Sequence, residues 1–532
     1  MSYRVCIPVA GTGSRLGGLT RRLNKSLVAV ANKPVLSHII DAFPTDCEFV
    51  IPLGYKGDLV REFLHLAYPD RVFLYSAVTP YEGPGSGLGL SLLSCAHYLQ
   101  EPFVFCSCDT LVDESIPSPE TNWMGFAQVP DVSQYRTGRI SGGRVVEVLD
   151  KGAVGDDLVA YIGLAGIRDH ETFWGLMKEG GQDAVEMGES YALQRMVLSS
   201  RVGGYEFSWH DCGNPEALKE TRLTRSDPHQ PNILEKPNEA IWFVNGQVIK
   251  FSDDEAFIAN RVARVGELSG FVPEVTASTP HMYRYRKVAG TVFSESVTLP
   301  LFERLLAQGQ GFWQEKSLEP VEKDRFRASC IRFYRDKTLE RVGLFYQTFS
   351  QLDGTQPING VAMPALSNLL EAIDWDRLAD GLPGRFHGDF HFENILWSPA
   401  DGRFTFLDWR QDFGGDLYVG DIYYDLSKLL HGLIISHELI ARDLYSVNWT
   451  DNGITYDFHR KQILVECERM FLKWLPDHGY DRDKVVILTA LIYLNIAALH
   501  HYPYCLLLYA LGKSMLSQAL SGNHAGCRLE AP

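Results

Sequence analysis

Apolar residues in this chain follow one rhythm before residue 226 and another after it. Up to that point short apolar runs alternate with helical patterns, which predicts an α/β domain on a mostly parallel sheet. Residues 3–18, YRVCIPVAGTGSRLGG, open it with a strand-like run broken at once by glycines. Residues 226–232, SDPHQPN, are polar and proline-rich and mark the expected boundary between domains 1–227 and 228–532. Beyond it AIWFVNGQVIKF holds two apolar runs hinged at Asn245-Gly246, the pair that a two-residue hairpin turn favours. Residues 416–433, DLYVGDIYYDLSKLLHGL, place Asp421 and Asp425 at the start of a helix with apolar side chains at 422, 426, 429, 430 and 433; Asp421 would cap it or, as the alternative, steady the loop at 387–394. Residues 488–512 are nearly all apolar, but Asn495, His500, His501 and Pro503 interrupt them. Buried helices are therefore expected there, with no membrane insertion.

The chain has 532 residues, more than one ordinary core accommodates. With 22% charged and 45% hydrophobic residues it is globular in composition. A net charge of −16 argues against nucleic acid or an anionic membrane as the main partner, and leaves small-molecule substrates. The ten cysteines show no metal-type spacing, and no charged-then-apolar leader pattern opens the chain, so reduced thiols and a cytoplasmic location are expected.

Chemistry is densest at residues 387–410, HGDFHFENILWSPADGRFTFLDWR. Asp389 precedes Asn394 by five residues, and Asp408 follows a short apolar strand. Phosphoryl transfer asks for a carboxylate that orients the attacking hydroxyl and for oxygen ligands that hold Mg²⁺ against nucleotide phosphates. Asp389 suits the first task; Asn394 and Asp408 suit the second. The pattern resembles the catalytic loop of the aminoglycoside phosphotransferase and choline kinase family, a branch of the protein-kinase fold. That resemblance implies a two-lobed α+β domain, with an N-lobe near 232–292 and a C-lobe near 293–520. It also implies ATP as phosphoryl donor and Lys250 as its phosphate-gripping lysine. A glutamate usually partners that lysine, but Asn260 and Arg261 stand where it is expected, leaving Glu255 or Glu267. Trp409-Arg410 replaces the kinase Phe-Gly after the metal-binding aspartate.

At the other end, Gly11, Thr12 and Gly13 form a glycine-rich turn after a strand, and Arg15 and Lys25 add two cations suited to a triphosphate. This arrangement resembles the sugar-phosphate nucleotidyltransferases and so implies a Rossmann-like domain. Asn24 and Ser26 stand where that family has prolines. The resemblance further implies nucleotide contacts at Gly85 and Gly87 in EGPGSGLGL, and Mg²⁺ ligands at Asp109 and Asp211. Lys151 and Glu189 are implied on the substrate side. Asp109 taken alone reads equally as an acid in a strand-end turn.

The two resemblances together imply consecutive steps: ATP-dependent phosphorylation of a small hydroxyl compound, then coupling of the phosphate to a second nucleoside triphosphate with release of pyrophosphate. The leading version is a sugar phosphorylated at its anomeric position and activated for surface polysaccharide or cell-wall synthesis. Choline or another amino alcohol, held in an aromatic cage and activated as a cytidylyl derivative, is the alternative of the same class. A third reading makes the kinase-like half a non-catalytic sensor that regulates the transferase.

Overall fold

The computed structural model describes residues 3–155, 157–226 and 238–522. It divides into two compact units, Met1–Ile258 with Val275–Lys287, and Ala259–Glu274 with Val288–Pro532. The expected linker lies, from residue 227 on, outside the described residues.

The first unit is built on nine strands: β1 (Arg4–Cys6), β2 (Glu48–Leu53), β3 (Phe73–Ala77), β4 (Phe103–Cys106), β5 (Trp123–Ala127), β6 (Thr137–Ser141), β7 (Arg144–Leu149), β8 (Val159–Ile167) and β9 (Gly203–Glu206). They lie in the order β3-β2-β1-β4-β8-β5-β9-β7-β6. Strands β3, β2, β1 and β4 run parallel, as do β5 and β9. The sheet is nevertheless mixed, because β8 runs antiparallel to β4, β5 and β6 and β7 runs antiparallel to its neighbours. The parallel strands read as continuous apolar runs because helices cover both faces; Val5, Phe49, Val50, Ile51 and Val104 are all buried.

A second, four-stranded antiparallel sheet belongs to this unit. It contains β10 (Glu239–Val244), β11 (Gln247–Ser252), β12 (Val275–Ser278) and β13 (Met282–Arg286), in the order β10-β11-β13-β12. The predicted hairpin joins β10 to β11, with Asn245 and Gly246 both at positive φ (52° and 70°) as the two-residue turn requires. Although it lies beyond the expected boundary at 227/228, its contacts group this sheet with the first unit. The physical reason is α1 (Gly57–Ala67), whose broad apolar arc of Leu59, Val60, Phe63, Leu64, Leu66 and Ala67 is wide enough to meet both sheets. One side faces the large sheet, and Phe63 meets Trp242 of β10 edge-on at 5.2 Å. Glu62 accepts from the His281 backbone N–H at 3.0 Å and contacts its Nδ1 at 2.9 Å. Trp242, Val244, Ile249, Phe251 and Met282 thus share one core with the large sheet.

The second unit is mainly helical. Its hairpin β14 (Ile395–Ser398) and β15 (Arg403–Phe406) carries the loop bearing Asp389 and Asn394 on one side and Asp408 on the other. Behind it runs α2 (Ile422–Ile434), buried at all 13 positions. Helices α3 (Arg482–Ala497) and α4 (Tyr504–Leu520) account for the apolar stretch at 488–512. Among the described residues no helix is long and apolar enough to cross a membrane.

Candidate active sites

In the first unit the turn after β1 lies beside Lys25. Gly13 adopts φ 66°, and a Cβ there would come within 2.8 Å of the Lys25 Cβ, so glycine is required on both counts. Asn24 explains how the lost prolines are replaced. Its amide N–H groups donate to the carbonyls of Val9 (2.9 Å) and Tyr55 (2.7 Å), and its oxygen accepts from the backbone and hydroxyl of Ser26 (2.9 and 2.8 Å). Hydrogen bonds therefore supply the rigidity that ring closure would give. Gly11 and Arg15 are exposed, and Thr12 is half-buried.

Lys25 forms an ion pair with Asp109, whose other oxygen accepts from the Ser107 hydroxyl at 2.5 Å. Burial opposes the charge on each partner, but their attraction prevails: the Lys25 ammonium is held above its usual range and the Asp109 carboxyl below it. Asp211 arrives on a two-stranded ladder in which it pairs with Thr110, and the Cys212 N–H donates to the Asp109 carbonyl at 3.0 Å. Asp211 accepts from the Gly213 N–H at 2.7 Å and from the Tyr135 hydroxyl at 3.3 Å. A Cβ on Gly213 would stand 3.0 Å from an oxygen of Asp109 and 3.0 Å from one of Asp211, so both carboxylates border one point. Burial and then the charge of Asp109 push the Asp211 carboxyl above its ordinary value. Two hard carboxylate donors under mutual repulsion fit a Mg²⁺ ion, which would neutralise charge developing on a phosphoryl group.

The remaining predicted positions divide. Glu189 is buried at the start of its helix, where burial pushes its carboxyl up to about 7. The buried Tyr161 hydroxyl lies close enough to favour the carboxyl's charged form. Lys151 is exposed in the turn after β7. Gly85 (φ 83°) has open space around it, whereas a Cβ on Gly87 would lie 2.2 Å from the Val185 carbonyl oxygen. Lys250 is buried in β11, with its ammonium 6.0 Å from the Tyr285 ring centre. Glu255 pairs with His281 at 3.5 Å, and in the second unit Glu267 pairs with Lys316 at 2.7 Å.

In the second unit Asp389 sits in a cage of donors. Lys428 of α2 contacts one oxygen at 2.7 Å; the Asn394 amide donates to the other at 3.0 Å, and His391 lies 3.4 Å from it. Burial works against ionisation, yet Lys428 and His391 hold this carboxyl well below the usual range. The loop is braced from beneath by Asp425, which accepts from the backbone N–H groups of His387 and Gly388, both at 2.6 Å, and from the Trp313 indole at 3.1 Å. Asp421 caps α2 as expected, accepting from the Tyr423 N–H at 3.1 Å. The Leu407 N–H donates to the Asn394 carbonyl at 2.7 Å, tying the strand end that carries Asp408 to Asn394. Since the Asn394 amide N–H is engaged by Asp389, its side-chain oxygen is the donor left for a cation. With the Asp408 carboxylate it gives the hard oxygen set that Mg²⁺ prefers. Arg261, where the kinase glutamate was sought, lies 3.3 Å from Asp408. His391, Glu393 and His437 also bring possible metal-ligand atoms within 4.8 Å of one another.

Next to Lys428 opens a cavity of about 200 Å³, walled by Leu488, Leu491 and Ile492 of α3 and lined by Lys337, Arg341 and Arg410 as well as Lys428. Sequence reasoning missed Lys428, Lys337, Arg341 and the bracing role of Asp425. Lys428 lies off the apolar face at 422, 426, 429, 430 and 433, so the pattern gave no sign that its position would be buried.

Residues 335–448 match the model of the phosphotransferase enzyme family. The N-terminal part is similar to Bifunctional protein GlmU of Methanococcus maripaludis (strain C5), 19% identical over 215 residues, or 39% of this chain and 50% of that protein. With Bifunctional protein GlmU of Methanocaldococcus jannaschii the identity is 22% over 251 residues, covering 45% and 58%. The chain spans about half the length of these relatives. A crystal structure of apo UDP-glucose pyrophosphorylase shares 19% identity, covering 42% of this chain and 98% of its own at a TM-score of 0.37. The N-terminal part is thus similar to bifunctional GlmU proteins, and a segment of the C-terminal part matches the phosphotransferase enzyme family.

Proposed function

We propose that the two halves catalyse consecutive steps on one small metabolite. In the second unit the acceptor hydroxyl, oriented by Asp389, attacks the γ-phosphorus of ATP. The new O–P bond forms as the β–γ bridging bond breaks, the hydroxyl proton passes to Asp389, and ADP leaves. In the first unit an oxygen of the resulting phosphate ester attacks the α-phosphorus of a second nucleoside triphosphate, and pyrophosphate leaves. Arg15 and Lys25 offset the repulsion between these anions, and Gly11, Thr12, Gly13 and Gly85 let the backbone approach the nucleotide. Mg²⁺ would be held by Asp109 and Asp211 in one site and by Asn394 and Asp408 in the other. Glu189 and Lys151 are assigned to the substrate side. A sugar is the leading acceptor class, giving an activated sugar nucleotide.

The observation that carries this reading is the Asp389–Lys428–Asn394 cluster in one unit together with the Lys25–Asp109–Asp211 cluster in the other. The pairing of Arg261 with Asp408 favours a second reading, a nucleotide-binding regulatory half. Incubating the full chain with Mg²⁺, a mixture of nucleoside triphosphates and a panel of hydroxyl compounds, followed by mass spectrometry, tests both. Two-step function predicts a nucleotidylated acceptor whose formation consumes ATP. Nucleotidylation of supplied phosphate esters, with no acceptor phosphorylated, would establish the regulatory reading instead.

A further inference from the structure

Resting on the kinase reading of the second unit, we infer that its acceptor carries an oxyanion, a carboxylate or a phosphonate-type group, besides the hydroxyl that is phosphorylated. The cavity beside Asp389 contains four cationic side chains and no acidic one among its lining residues. Only Lys428 has a carboxylate partner, Asp389 itself; among the described residues none pairs with Lys337, Arg341 or Arg410. Lys337 and Arg410 rest instead against the Phe333 ring, at 4.2 and 5.2 Å from its centre. The Arg410 Nε is buried without a hydrogen-bond partner.

Like charges gathered in a partly dry pocket repel one another, and a bound anion relieves that repulsion. The Lys337 ammonium shows the strain: burial, then Arg410, Arg341 and Lys428, lower it to about 7. Backbone geometry agrees, because residues Arg332–Asp336 form a π-helical turn ahead of the helix Lys337–Phe349. Such turns are rare and are found frequently at functional sites. Across the cavity Asn495 donates to Thr338 (2.8 Å) and to the Leu491 carbonyl (2.7 Å), while its side-chain oxygen is buried with no donor. That oxygen is suited to a substrate hydroxyl.

The same charges disfavour a quaternary ammonium acceptor. Of the aromatics that line the cavity, Phe333 already has the Lys337 and Arg410 cations against its ring. A cavity of about 200 Å³ is also smaller than the ~300–1,000 Å³ that drug-sized ligands occupy, so the acceptor is small.

The test measures ADP release by the full chain with four acceptors of similar size: glycerate, 2-hydroxyethylphosphonate, glycerol and choline. Turnover with glycerate or the phosphonate should exceed that with glycerol and choline by about tenfold to a hundredfold, and the better of the two identifies the oxyanion. In parallel, calorimetry follows binding of glycerate and inorganic phosphate to the full chain and to a Lys337→Met/Arg341→Gln variant of unchanged circular dichroism. The variant should bind about tenfold or more weakly. Preference for glycerol or choline would overturn the inference and leave the kinase reading intact. With no turnover of any of these four, the kinase reading is decided by the wider panel of hydroxyl compounds described above, and calorimetry decides the anion pocket alone. Binding to wild type that the double variant weakens upholds it; absent or unaltered binding overturns it.

Discussion

Asp389 stands among partners that its own motif does not foretell, above all Lys428 of α2. Its carboxylate stays ionised because Lys428 and His391 outweigh the effect of burial. Asp389→Asn keeps the shape and removes the proton acceptor, so phosphorylation should fall by about 10²–10⁴-fold. Nucleotidyl transfer from a supplied phosphate ester should persist; loss of both activities in a folded variant would refute independent sites. Lys25→Ala should produce the converse pattern, leaving Asp109 and Asp211 as two adjacent carboxylates without their cation. Glu189 yields a pH prediction. Its folded-state value of about 7 lies above the ordinary 4.5, so the folded protein holds the proton more tightly than the unfolded chain does. The associated stability is complete below the ordinary value and is lost as pH rises through about 7, up to about 3 kcal/mol in all. Urea midpoints measured from pH 4 to 8 should decline less in Glu189→Gln than in wild type. Parallel declines would mean that water reaches this carboxyl.

At the scale of elements, two glycines with one sequence expectation separate. Both Gly85 and Gly87 were expected at the nucleotide, but Gly87 lets its helix approach the Val185 carbonyl, while Gly85 occupies a positive-φ turn with free space. Gly87→Ala should destabilise the first unit by about 1–3 kcal/mol or more through overpacking, visible in thermal unfolding. Gly85→Ala should cost only the left-handed backbone term of about 1–2 kcal/mol. Equal losses at both positions would show that backbone strain alone governs the segment. The catalytic loop offers a parallel case. Its Asp-x-x-x-x-Asn spacing is local and could be read directly, but its brace is Asp425, 36 positions beyond Asp389 and one helical turn past the cap residue Asp421. Both aspartates lie on the buried helix α2, and spacing alone does not tell which of them meets the loop.

Over the whole molecule, the hairpin at Asn245-Gly246 was legible while its allegiance was not. Turn chemistry is set by two residues, but which core a sheet joins depends on the second apolar side of α1, some 180 residues earlier in sequence. A fragment ending at residue 226 should therefore expose Phe63 and its neighbours and unfold at a lower temperature than one ending at 287. Scanning calorimetry of the two fragments checks this, and equal melting points would mean that the second sheet adds nothing to the first core.

By itself the sequence determined what depends on near neighbours: the glycine turns, the hairpin, the cap at Asp421, and the residue types around Asp389 that phosphoryl chemistry requires. Tertiary structure alone decided what depends on distant segments meeting. A two-stranded ladder brings Asp211 to Asp109; a mid-helix lysine reaches Asp389; and Lys337 and Arg341 of one helix meet the distant Arg410 at one cavity. Local backbone preferences extend over a few residues, whereas charge and packing act through space, and only the folded chain sets those distances.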